Sequence, residues 1–342
     1  MSGIYHWQPS DCLPEESEFS QLDLFGSAES RKMKTRSLGP LQVSILGLGC
    51  NSFGLEVDEV QATRVVNAAL EAGISYFDTA DSYSDGVSEQ MLGRALGSNR
   101  SEVVVATKFV KQLSDPTSGG ASDRWIRIAV ENSLQRLGTD WIDLYQLHQP
   151  DPDVPIAETL GALDDLVTAG KVRAIGHSNL TAAQMFEAAE IADKTGTTAF
   201  VSAQNEWNIL FRDVEKNIMP AIGELGLSML PYRPLASGVL TGKYTDGGAW
   251  DPGWRLGTRQ THRGRFLEGR EAVVESLAEY AAGQGRVLLD LALSWLAVHP
   301  TVASVVAGAT SPEQVMANVR AASWQLTPAD LTAVDRLAPV SG

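Results

Sequence analysis

From Met33 onward, short runs rich in Val, Ile, Leu and aromatic residues alternate with longer stretches whose apolar positions recur every three or four residues. The short runs predict strands at Ser44–Leu48, Ser75–Asp78, Val103–Lys108, Ile142–His148, Val172–His177, Phe200–Asn205, Leu227–Tyr232 and Thr301–Ala307. The longer stretches predict helices at Asp58–Ala72, Ser88–Leu96, Ser122–Leu137, Ile156–Ala169, Ala182–Thr195, Val214–Leu225, Leu288–Val298 and Pro312–Ala322. Ser122 and Thr181 stand where N-caps belong. Gly73, Gly97, Gly138, Gly170 and Gly226 stand where a helix must end in a left-handed residue. Met33–Leu38, a Gly39-Pro40 turn and Leu41–Ile45 predict a β-hairpin ahead of the first strand.

Eight strands, each followed by a helix, imply a parallel sheet with right-handed crossovers. Eight such units imply the α/β class and a closed (β/α)8 TIM barrel rather than an open doubly wound sheet. One barrel domain accommodates most of a 342-residue chain. The regular alternation breaks once, at Thr241–Arg265, a segment rich in Gly, Trp and Arg that precedes a helix near Glu271–Ala282. A long loop of this kind inside a compact domain reads as a lid or clamp.

Residues 1–32 follow no apolar period and carry Asp11, Glu15, Glu16, Glu18, Asp23 and Glu29 before the first basic residue, Arg31. They read as a flexible, disordered acidic tail, 1–32, ahead of a barrel domain spanning 33–342. Within that tail Gln21, Leu22, Asp23, Leu24 and Phe25 resemble the pentapeptide by which bacterial proteins dock on the DNA sliding clamp. The alternative is a strap that packs Leu24 and Phe25 on the barrel.

A formal net charge of −15 and a pI near 4.8 argue against a nucleic-acid or anionic-membrane partner. Two cysteines, Cys12 and Cys50, make no disulfide framework and fit a cytoplasmic protein. No apolar run has the length of a membrane helix, and the first residues lack the pattern of a signal peptide. The five histidines and two cysteines show no metal-ligand spacing, so no metal is expected. Gly47-Leu48-Gly49 is followed by Ser52 where a dinucleotide fingerprint needs a third glycine. Gly238 to Lys243 is one residue short of a phosphate-binding P-loop, and Tyr244 stands where it needs Ser or Thr. Arg255, Arg259, Arg263 and Arg265 read as a lid over cofactor phosphates or as a solvated loop.

Barrel chemistry sits at the C-terminal ends of strands. Those positions hold Asp78 with Tyr83 in the following loop, Lys108, His148, His177-Ser178-Asn179, Gln204-Asn205 and Tyr232-Arg233. Taken singly, each has an ordinary reading: Asp78 as a turn cap, Lys108 as a solvated charge, His148 as a structural histidine, Tyr83 as a loop tyrosine. Together they suggest acid–base work at one barrel mouth, and carbonyl reduction, which needs a hydride on carbon and a proton on oxygen, would give each type a purpose. Tyrosine is a weak acid at neutral pH. A neighbouring ammonium lowers its pKa, a carboxylate keeps that ammonium charged, and a neutral histidine orients the carbonyl oxygen.

Asp78 and Tyr83 lie in Phe-Asp-Thr-Ala-Asp-Ser-Tyr, followed by Ser88-Glu89 and Leu92-Gly93; Lys108 lies in Ala-Thr-Lys and His148 in Asp-Leu-Tyr-Gln-Leu-His. From about Met33 to the C-terminus the chain resembles the aldo-keto reductase superfamily. The resemblance implies NADPH-dependent reduction of an aldehyde or ketone, with Tyr83 as general acid, Lys108 and Asp78 tuning it, and His148 positioning the carbonyl. It implies Ser178, Asn179 and Gln204 at the nicotinamide amide and Tyr232 stacked on its ring. It further implies Leu235, Gly238, Leu240 and Lys243 around the pyrophosphate, and Gly308, Ser311, Gln314 and Asn318 at the adenosine end. Gly308 and Gln314 stand where one branch of the family has basic residues for the 2′-phosphate. NADPH therefore rests on Ser311 and a basic group such as Arg320, and NADH stays open. Arg233 departs from the small or aromatic residue expected after Tyr232. It would favour a substrate carboxylate or phosphate, or else pair with a surface acid. Phe53, Glu206, Trp207 and Arg233 are the candidate substrate contacts, and Trp207, Trp250 and Trp254 suggest an aromatic-lined cleft. Some members of the family act as cofactor-binding regulatory subunits, so a sensor is the alternative role.

Overall fold

The computed structural model describes residues 33–109, 119–245, 254–258 and 260–340. The acidic tail, its Gln21–Phe25 segment, Trp250 and Arg259 lie outside these residues.

A hairpin of β1 (Thr35–Leu38) and β2 (Leu41–Ser44) precedes eight strands: β3 (Leu46–Gly49), β4 (Tyr76–Asp78), β5 (Val104–Phe109), β6 (Ile142–Leu147), β7 (Val172–Ser178), β8 (Ser202–Glu206), β9 (Ser228–Tyr232) and β10 (Val305–Gly308). Consecutive strands pair in parallel, and β10 returns to pair with β3. Closure between β9 and the chain entering β10 uses Met229, whose N–H donates to Thr301 O at 2.7 Å and whose carbonyl accepts from Ala303 N at 3.0 Å. This is a (β/α)8 barrel. The last strand is shorter than the sequence suggests, because Thr301–Ala303 makes only this bridge before β10 begins.

Eight helices follow the strands as expected: α1 (Glu59–Glu71), α2 (Val87–Leu96), α3 (Asp123–Leu137), α4 (Ile156–Thr168), α5 (Ala182–Thr195), α6 (Val214–Leu225), and, beyond the irregular segment, α9 (Leu288–Val298) and α10 (Pro312–Ala321). The irregular segment contributes one helical turn at Arg255–Thr258 and α7 (Gln260–Phe266), and the helix expected after it is α8 (Glu271–Gly283). Asp58, Ser122 and Thr181 cap their helices by accepting a backbone N–H, and Gly138 and Gly226 end theirs at φ 64° and 65°. The C-terminal helix α11 (Pro328–Leu337), absent from the sequence reading, is opened by a capping box between Thr327 and Asp330. It docks on α8 through Tyr280, whose hydroxyl donates to Asp330 at 2.6 Å.

The hairpin plugs the N-terminal end of the barrel. Leu38, Leu41 and Val43 pack with the inward residues Tyr76, Ala106, Leu144, Ala174, Leu230, Ala303 and Val306. Arg36 fastens it by donating to the carbonyls of Ala297, His299 and Val302 at 2.7, 2.6 and 2.5 Å, at the end of α9, where a cation is favoured. Interior room is tight. A Cβ on Gly47 would stand 2.5 Å from the Tyr76 ring. With the bottom filled, the C-terminal ends of the strands are where polar side chains meet solvent.

Gly93, in α2, is required by packing. A Cβ there would overlap the backbone carbonyl of Leu137, which cannot rotate away. Gly161, in α4, has nothing within 4 Å of that position. Gly93→Ala is expected to lose about 1–3 kcal/mol through overpacking. Gly161→Ala is expected to be neutral or to gain up to about 1 kcal/mol from helix propensity. Urea midpoints of the two variants check this.

Candidate active site

Period two along the strands sets the site. In β4 Tyr76 lies in the inner cluster, so Asp78 is the next inward residue; Ala106 puts Lys108 inward in β5, and Leu144 puts Gln146 and then His148 inward after β6. The same rule gives Ser178, Gln204 with Glu206, and Tyr232. It turns His177 and Asn205 to the outer face, so these two strand-end residues do not share the cavity with the others. His177 lies against Phe200, ring centroids 5.2 Å apart.

Lys108 is fully buried. Its Nζ donates to Asp78 Oδ1 at 2.6 Å, to the Thr79 carbonyl at 2.8 Å and to the Tyr83 hydroxyl at 3.4 Å. Asp78 Oδ2 in turn accepts from Gln204 Nε2 at 2.8 Å, with Gln146 Nε2 and the Tyr76 hydroxyl each at 3.5 Å. Burial alone would lower the Lys108 pKa; Asp78 and then Tyr83 outweigh it, and the net direction is up, so the ammonium stays charged. For Tyr83 burial is the largest influence and raises the pKa. Lys108 pulls it down by less, so the phenol ends above its ordinary value rather than below it, as the sequence had suggested. The ring of His148 meets that of Tyr83 edge-on at 5.9 Å, and its Nδ1 lies 3.5 Å from Ser82 Oγ. Burial, with the Lys108 charge, pushes His148 down to about 3, so the imidazole is neutral.

Tyr83 opens a strained turn in which Ser84, Asp85 and Gly86 have φ of 50°, 54° and 84°. Left-handed non-glycine residues of this kind cost about 1–3 kcal/mol each and persist only where their surroundings hold them. Here Ser84 Oγ donates to the Phe53 carbonyl at 2.9 Å, and Ser88 Oγ donates to the Cys50 carbonyl at 2.8 Å. Buried Glu89 accepts from Thr107 and from Arg136, both at 2.6 Å. The Ser88-Glu89 pair of the motif is thus the anchor of the Tyr83 loop.

Beside this network, Tyr232 donates its hydroxyl to Asn179 Oδ1 at 2.9 Å. Asn179 Nδ2 donates to the His148 carbonyl at 3.1 Å and to Ser178 Oγ at 2.9 Å, and Ser178 Oγ donates to the Gln204 carbonyl at 2.8 Å. After β9 the chain turns through left-handed Arg233, Ala236, Ser237 and Gly238. Leu235 and Gly238 are partly exposed in this loop, Lys243 is exposed, and Leu240 is fully buried, which leaves it only backbone contacts to offer. At the end of β10, Gly308 is exposed and its carbonyl accepts from Asn318 at 3.4 Å. Ser311 caps α10, and Gln314 Oε1 accepts from Thr310 N at 2.9 Å.

Two expected substrate contacts sit elsewhere. Trp207 is fully buried outside the barrel: its indole donates to Glu215 at 2.9 Å and its ring packs against Trp295 and His299. Strand alternation explains this, since Glu206 faces inward and its successor cannot. Phe53 is fully buried in the core and offers the site only its carbonyl. Glu206 and Arg233 do lie together, 3.4 Å apart. Trp254 is partly buried against Tyr244, ring centroids 5.6 Å apart. Gln146 was not singled out from the sequence, although its place two residues before His148 in the same motif marks it as inward.

Over most of its length the chain is similar to known proteins. The aldo/keto reductase family profile matches residues 45–339. The chain is 33% identical over 314 residues to the "uncharacterized oxidoreductase YrpG" of Bacillus subtilis, covering 88% of this chain and 94% of that protein. It is 36% identical over 312 residues to a "putative voltage-gated potassium channel subunit beta" of Schizosaccharomyces pombe, covering 87% and 90%. The holo form of aldo-keto reductase AKR11C1 from Bacillus halodurans superposes with a TM-score of 0.73 at 34% identity, covering 90% of this chain and 97% of that one. The chain belongs to the aldo/keto reductase family, and is an NAD(P)H-dependent oxidoreductase. Among the described residues no helix is long and apolar enough to cross a membrane.

Burial also pushes His177 and His299 down to about 3. Histidines whose folded pKa is depressed contribute stability that is present above their unfolded value, about 6.5, and is lost as pH falls toward the folded value. Each contributes a slope of up to about 1.4 kcal/mol per pH unit in that window. Thermal midpoints should therefore drop on acidification through the ordinary histidine range, and His177→Leu should flatten the slope. An unchanged slope in that variant would contradict the assignment.

Proposed function

We propose that this protein reduces an aldehyde or ketone to an alcohol with NADPH, and that Tyr83 gives the proton to the carbonyl oxygen. The observation that carries this is the contact of the Tyr83 hydroxyl with the Nζ of buried Lys108, whose remaining donors are taken by Asp78 and Thr79. The raised pKa leaves the phenol protonated but a weak acid, so the transfer depends on the help that Lys108 gives. As the proton leaves, the Lys108 ammonium stabilises the phenolate. Neutral His148 donates a hydrogen bond to the carbonyl oxygen and fixes its place beside the hydroxyl.

The residues present fit a nicotinamide. Ser178, Asn179 and Gln204 supply hydroxyl and carboxamide groups of the kind that bind an amide, and Tyr232 stands beside them as a wall. Asn179 and Gln204 are engaged within the protein, so binding exchanges hydrogen bonds rather than filling vacant ones. Bound there, the reduced ring supplies the hydride. Leu235, Gly238, Leu240 and Lys243 would hold the pyrophosphate, and Gly308, Ser311, Gln314 and Asn318 the adenosine end, with exposed Arg320 as the basic group for a 2′-phosphate.

The similarity to a putative channel β-subunit supports a second reading, a regulatory protein that binds cofactor tightly and turns over slowly. One experiment addresses both. NADPH consumption is followed with wild type and Tyr83→Phe over aromatic, aliphatic and sugar-like aldehydes, then with NADH. Wild type is expected to consume NADPH and the variant to lose turnover by about 10²–10⁴-fold while keeping NADPH affinity. Equal loss of binding and turnover would remove Tyr83 from its role. Binding without turnover in wild type would favour the regulatory reading.

A further inference from the structure

One carboxylate at the mouth of the barrel faces two guanidinium groups. Glu206 ends β8 on the inward face, two residues beyond Gln204, and its Oε2 meets two guanidinium groups. Arg265 of α7 pairs with it directly, and Arg233 reaches it at 3.4 Å. Among the described residues these are the only ion pairs of the three side chains, so one carboxylate serves two cations. The carboxylate is nearly covered, with its side chain 13% exposed, while Arg233 and Arg265 are 39% and 51% exposed. Each arginine has five N–H donors in a rigid fork, and one carboxylate oxygen occupies few of them.

Arg233 is also held on purpose-built backbone. Its φ is 52°, a left-handed conformation that disfavours a side chain. Its carbonyl is pinned by Asn208 Nδ2 and by the Ala236 N–H, both at 3.0 Å. The guanidinium lies 5.7 Å from the ring centre of Tyr232 and 5.5 Å from that of Phe266. It therefore sits beside the proposed nicotinamide wall, within reach of two aromatic rings. In a chain of net charge −15, such a local excess of positive charge draws anions to one place.

We propose that Arg233, seconded by Arg265, binds an anionic group on the carbonyl substrate, so that the site selects aldehydes or ketones carrying a carboxylate or phosphate. Glu206 holds the two guanidinium groups side by side. Such selection presupposes the carbonyl reduction assigned above. The competing source of the same chemistry is a phosphate of the cofactor.

The test compares kcat/KM for para-carboxybenzaldehyde and para-carbamoylbenzaldehyde, which share a shape and differ in charge. Wild type is expected to favour the acid by about ten-fold, the equivalent of about 1.4 kcal/mol. Arg233→Ala should bring that ratio toward one, Arg233→Lys should keep part of it, and Glu206→Gln should raise it. A ratio in Arg233→Ala equal to that of wild type overturns the proposal, as does a wild-type preference for the amide. Weakened NADPH binding with equal loss on both aldehydes in Arg233→Ala also overturns it, by assigning the guanidinium to cofactor phosphate. If wild type reduces neither aldehyde, the reductase reading is decided by the wider panel above. The anion site is then judged by calorimetric binding of terephthalate to protein saturated with NADP+. Binding lost in Arg233→Ala supports the site, and binding equal in both proteins, or absent from wild type, refutes it.

Discussion

A lysine ammonium with no access to water must be surrounded by acceptors, and the upper half of this barrel is organised around that requirement. Lys108 is satisfied by Asp78, the Thr79 carbonyl and the Tyr83 hydroxyl; Asp78 is satisfied in turn by Gln204. Removing one partner from such a buried pair generally costs about 3–5 kcal/mol, because the other charge is left bare. The pair, with Gln204, thus ties β4, β5 and β8 together at the mouth of the barrel. It also explains why the Tyr83 turn tolerates strain. Ser84, Ser88 and Glu89 fix the turn from the far side, so the phenol is brought to the ammonium rather than left to find it.

The balance at Tyr83 is between two opposing effects of the same location. Covering the hydroxyl raises its pKa, and the adjacent ammonium lowers it. Burial prevails, so the ammonium offsets only part of the cost of ionising the covered phenol. In the proposed transfer Lys108 matters most after the proton has gone. In the proposed reaction His148 and Lys108 would face the reacting oxygen as one neutral and one charged donor, with the negative charge of Asp78 kept behind them.

Strand and helix positions were legible because each element carries its own period, cap and stop, as Thr181 with Gln184 and Gly226 show. Asp78, Tyr83, Lys108 and His148 could be singled out as neighbours because a (β/α)8 barrel gathers its strand-end residues at one mouth, and the motif residues fall there. What was lost came from facing rather than position. His177, Asn205 and Trp207 sit at the right height but on the wrong side of the sheet, and a one-residue step decides which. Phe53 lies in the right loop but turns into the core. Gln146 was visible only to someone counting back two from His148. The direction of the Tyr83 shift was not legible at all, since the extent of burial is a property of the packed structure. α11 escaped notice for a different reason: a single amphipathic helix after the eighth unit has no place in the repeating pattern.

The central claim is that Lys108 acts on the Tyr83 phenol through a direct electrostatic contact. The most direct measurement is a pH titration of the Tyr83 Cζ resonance in ¹³C-tyrosine-labelled protein, assigned by its loss in Tyr83→Phe, for wild type and Lys108→Met. The account predicts that removing the ammonium moves the titration to higher pH, or out of the range in which the protein stays folded. A midpoint that stays in place, or moves down, would contradict it.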